Sequence, residues 1–189
     1  MYPSVRSAHG DDARVADAER FVAGFEQLLA TDPARRPHRL RGLDSTGTAF
    51  AVVDSVGRFV DIGLDPGWWP ALGPPRVAAG LLEAVESARM KAALVPLITR
   101  EHNLEAARTR LAEAYRLIED AAPRSPLRTI TGPRGLFRLH VRGGHIESAD
   151  VSEESLTATD ADRLAADAHD VLAELSRHNR WVVLDEWQH

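Results

Sequence analysis

The chain has no cysteine, so neither disulfides nor thiolate metal sites are open to it. It has no apolar run of membrane-spanning length, and its opening stretch, MYPSVRSAHGDD, holds no hydrophobic leader core. These absences are read as a cytoplasmic protein without membrane contact. Lysine is almost missing: Lys91 is the sole one among 23 basic residues. An arginine and alanine bias of this kind fits a GC-rich coding sequence, which gives the arginines an origin independent of function. The net charge of −5 argues against a protein that coats nucleic acid with its whole surface.

What is present is organised. Residues 33–43 carry Arg35, Arg36, Arg39 and Arg41 with no acid, and residues 121–146 carry Arg124, Arg128, Arg134, Arg138 and Arg142, again with no acid. Residues 147–174 hold nine acids against Arg163 alone. Positive charge is thus gathered in two places. A chain of 189 residues can hold one domain with a real core or two small ones.

The order of elements is written twice. Residues 11–30 place Val15, Ala18, Phe21, Val22, Phe25, Leu28 and Leu29 on one helical stripe. Three short extended runs follow, HRLRGL, GTAFAVV and GRFVDIGLD, separated by Asp-Ser-Thr-Gly and Asp-Ser-Val-Gly turns. RVAAGLLEAVESARMKAAL is helical, and Pro96 is expected to end it. The pattern then restarts: NLEAARTRLAEAYRLIEDA as helix, LRTI, LFRLHV and HIESADV as strands, and a final helix capped by Asp160. A constant shift of about 87 residues aligns the halves from Leu40 to Lys91. The expected fold is α+β: two α-β-β-β-α units with antiparallel three-stranded sheets, fused as an intramolecular pseudo-two-fold dimer. The boundaries are 11–95, 99–177 and an aromatic tail at 178–189.

The run GTAFAVVDSVGRFVDIGLDP, followed by RVAAGLLEAVESA, resembles the YbaB/EbfC family of nucleoid-associated proteins. The resemblance covers 11–95 and, more loosely, 99–177, where LFRLHVRGGHIESADV keeps the rhythm without Asp-Pro. It implies a helix, three antiparallel strands and a helix, a dimeric assembly, and a DNA-associated role without enzymatic activity. Relatives of this kind in actinobacteria also occur around type VII secretion systems, which implies a protein-interaction role as the alternative.

Candidate sites follow from alternation along the strands. In LFRLHVR, Phe137, Leu139 and Val141 face one way and Arg138, His140 and Arg142 the other, with Arg128 expected to join them. Such a row would grip phosphates. Arg35, Arg36, Arg39 and Arg41 form a second phosphate candidate. Ala49, Ala51 and Val53 are read as the equivalents of Leu136, Arg138 and His140, giving the first half an apolar outer face. Trp68 and Trp69 either plug the helix–sheet core or offer a platform to a partner; Trp181 and Trp187 in the tail raise the same choice. No Gly-rich nucleotide loop and no nucleophile–base motif stands out, and His140, His145 and Glu147 lack a tight metal-ligand spacing. The expectation is a protein without catalysis, cofactor or metal. It binds DNA nonspecifically or, alternatively, acts as an adaptor or chaperone-like module, as a monomer or homodimer.

Overall fold

The computed structural model describes residues 39–101 and 126–178, apart from 56, 143 and 144, together with positions 20, 23, 24, 27 and 109. Arg35, Arg36, Arg124, Trp181 and Trp187 lie outside the described residues, as does most of the two stretches expected to be first helices. The four described positions of the first of those helices are helical and exposed, and all four fall off its apolar stripe.

The molecule is mixed α+β. β1 (Arg39–Leu43), β2 (Ala49–Asp54) and β3 (Phe59–Leu64) form one antiparallel sheet in that order. A single-turn helix α1 (Trp68–Ala71) leads into the long α2 (Gly73–Glu101). β4 (Leu127–Thr131), β5 (Phe137–Arg142) and β6 (His145–Val151) form the second antiparallel sheet, and α3 (Ala161–His178) closes the described chain. The predicted turn glycines Gly47 and Gly57 both have positive φ.

Alternation sets the faces. In β2, Ala49, Ala51 and Val53 are buried; in β5, Phe137, Leu139 and Val141 are. α2 lies on β1 and β2 through Val77, Leu81, Ala84, Val85 and Ala88. α3 buries Leu164, Ala168, Val171, Leu172 and Leu175 at corresponding positions. Each large aliphatic side chain removed from water in this way contributes about 1.5–3 kcal/mol. α3 packs on β5 but also along β3 of the first sheet, and α2 reaches β6 of the second. The buried residues of both sheets and both helices join into a single core.

Two expectations are corrected. The helix does not end before Pro96 but runs through it to Glu101. A proline forfeits one backbone hydrogen bond, and packing of Ala84, Ala88 and Ala92 along this helix outweighs that loss. The constant shift of 87 also fails. Val53 lies opposite Leu40 at a bulge after Val52, and Val141 lies opposite Arg128 at a bulge after His140, so these strands correspond at a shift of 88. Five residues separate Val53 from Phe59 and four separate Val141 from Ile146, which returns the later elements to 87. Ala49, Ala51 and Val53 therefore match Phe137, Leu139 and Val141. They are core, not an apolar outer face.

Candidate functional site

The outer face of the second sheet assembles from all three strands. Thr131 pairs with Arg138 and Arg138 with Asp150; Thr129 pairs with His140 and His140 with Ser148; Leu127 pairs with Arg142. Arg138 and Arg142 do share this face, as alternation requires. Neither guanidinium is left to itself. Arg138 is ion-paired with Asp150 at 3.7 Å and donates to Ser152 Oγ at 3.1 Å, and Arg142 is bonded to Glu147. His140 is held between Thr129 Oγ1, 3.0 Å from Nδ1, and Asp150 Oδ2, 2.7 Å from Nε2.

Arg128 does not join them. Register sets it opposite Val141, on the side of the sheet that faces α3, and its guanidinium meets Glu174 of that helix at 3.3 Å. The expected row of Arg128, Arg138 and Arg142 is therefore split between two faces.

In the first sheet, Leu40 and Gly42 turn to α2 and leave Arg39 and Arg41 outside. Arg41 donates to Asp65 at 3.0 Å and stacks 4.2 Å above the Phe50 ring. Arg39 is exposed and forms no ion pair among the described residues. Leu43, Phe50 and Val52 are half-buried on this outer face, and an open groove of about 420 Å³ runs beside Phe50, between β3 and α3. Asp61, Asp162 and His169 line it, with Arg134.

Trp68 is only 2% exposed and plugs the core; its burial removes it as a platform. Trp69 packs edge-on against it, ring centroids 5.2 Å apart, and stays half-buried. Leu127, at 52% exposure, is the most exposed large hydrophobic among the described residues.

Asp160 stands at the N-cap of α3, its carbonyl accepting the first helical bond from Leu164 N. Its carboxylate turns back, however, to accept from the Thr157 hydroxyl and backbone N–H, and out to Arg163 at 2.6 Å. The Thr157 hydroxyl, then its N–H, with Arg163 adding, hold this carboxyl below its ordinary range.

Sequence reasoning missed Thr129 and Asp150, because their meeting with His140 depends on strand register. No protein-family model, no curated protein and no solved structure matches the chain.

Proposed function

We propose that the chain is a protein-interaction module made of two fused YbaB/EbfC-like units, related by a pseudo-two-fold axis and acting without catalysis or cofactor in the cytoplasm. The reciprocal reach of α2 to β6 and of α3 to β3 supports the fused-dimer arrangement, as do the matching strand orders and bulges. The observation that carries the functional reading is charge pairing. Of the candidate phosphate-binding arginines among the described residues, Arg41, Arg128, Arg138 and Arg142 all meet carboxylates, and only Arg39 does not. A phosphate would have to displace a carboxylate already in place at each. The half-buried Leu43, Phe50 and Val52, with the groove beside them, are the better footing for an adaptor or chaperone-like contact, including one near a type VII secretion apparatus.

A second reading, nonspecific DNA association, keeps one observation in its favour. Arg39 is exposed and lies three residues after Arg36 in the same arginine-rich stretch.

Fluorescence anisotropy with a random-sequence duplex separates the two. The wild-type chain is expected to show no salt-sensitive binding at low salt, whereas a Glu147→Gln, Asp150→Asn variant, which lacks these two carboxylates beside Arg138 and Arg142, gains it. Wild-type binding that weakens as salt rises, and is lost on Arg39→Ala, overturns the interaction reading in favour of DNA.

A further inference from the structure

The outer face of the second sheet holds an arrangement that partner binding does not use. Thr129 on β4, His140 on β5 and Asp150 on β6 form a continuous hydrogen-bonded chain across three adjacent strands. A carboxylate can only accept, so in the neutral imidazole the 2.7 Å contact to Asp150 assigns the proton to His140 Nε2. Nδ1 then carries its lone pair toward the Thr129 hydroxyl, 3.0 Å away. A hydroxyl facing an imidazole whose far nitrogen is oriented by a carboxylate is the arrangement that makes a weak nucleophile reactive. Thr129 is exposed, so an electrophile can reach it. The corresponding positions of the first sheet are Arg41, Val52 and Gly63, which cannot form such a chain.

We infer that Thr129 is an activated hydroxyl, a covalent acyl-acceptor site for small activated esters. Thr129 Oγ attacks the ester carbonyl carbon, the new C–O bond forms as the bond to the leaving alkoxide or phenoxide breaks, and the hydroxyl proton passes to His140 Nδ1 and on to solvent. Asp150 acts through His140 as a positioning residue, itself held by Arg138. The face is an open sheet without a preorganised oxyanion pocket, so the product is a standing acyl-threonine rather than turnover. This inference is independent of what the module binds.

The test uses the full chain and p-nitrophenyl acetate, with the acetylated residue located by peptide mass spectrometry. Thr131 is the internal control: it is exposed and lies one position along the same face, without an imidazole partner. Thr129 is expected to be acetylated at least about a hundredfold faster than Thr131, the low end of what a positioned general base contributes. His140→Gln removes the difference; Asp150→Asn reduces it, and Asp150→Glu restores part of it. Equal labelling of Thr129 and Thr131 in the wild-type chain overturns the inference, whatever the folding of the variants. So does labelling of Thr129 that is unchanged in His140→Gln.

Discussion

The turn at 44–49 and the turn at 132–137 are built on the same backbone plan and held by carboxylates from opposite sides. In each, the first residue's N–H donates to the carbonyl of the last, Asp44 N to Ala49 O and Gly132 N to Phe137 O. Three N–H groups then point inward. In the second turn they belong to Arg134, Leu136 and Phe137, and all three are accepted by Asp167, a fully buried residue of α3. In the first they belong to Thr46, Thr48 and Ala49; Asp44, within the turn itself, accepts the first and third, and the Thr46 hydroxyl accepts the second. Where the helix supplies the carboxylate, the turn has Gly132, because a Cβ there would overlap the Asp167 carboxylate. Where the turn supplies it, the helix has Gly80, facing Asp44. What the fold requires is that buried N–H groups be satisfied; which element provides the acceptor is free.

The largest effect is expected from Asp167→Ala, which leaves three inward N–H groups without an acceptor. A loss of about 3–5 kcal/mol is predicted by chemical denaturation. Gly132→Ala forces the same carboxylate aside, at a cost of about 1–3 kcal/mol by the same measurement. Gly80→Ala sharpens the contrast, since the added Cβ meets the mobile end of Leu72 at 2.9 Å and Asp44 only at 3.6 Å. Its crowding is offset by better helix propensity, and the net change stays within about 1 kcal/mol. The smallest effect concerns Asp160. Its folded-state carboxyl is held below the ordinary value of 3.8, so its contribution is complete above that pH and fades as pH falls through the lowered folded value. Asp160→Asn should therefore lower stability at neutral pH and flatten the acid limb of a pH–stability profile.

Much of this was legible in the chain. Period-2 alternation in FRLHVR gives its buried face, and the Asp-Ser-Thr-Gly turn gives the hairpin, whereas the alternation in AFAVVD was assigned to the outer side although Ala49, Ala51 and Val53 are core. The alignment of halves was misread by one residue because such a slip exchanges the two faces of a strand, and a period of two hides it when few letters agree. Arg128 was placed on the wrong face for the same reason, and its partner Glu174 is distant in sequence. Asp167 did leave a signal. It falls on the apolar stripe with Leu164, Ala168 and Val171, and an acid there announces a buried acceptor rather than a solvated one. Ion pairing of Arg138 with Asp150 follows from register alone and could not be read beforehand.

The exchange of roles between turn and helix is tested most directly by a double-mutant cycle in the first half, Asp44→Gly with Gly80→Asp, measured by denaturant unfolding. Each single change is expected to destabilise, and the double variant to recover a coupling of about 1–3 kcal/mol, as the new helix carboxylate takes over the N–H groups of Thr46 and Ala49. Additive losses in the double variant would contradict it.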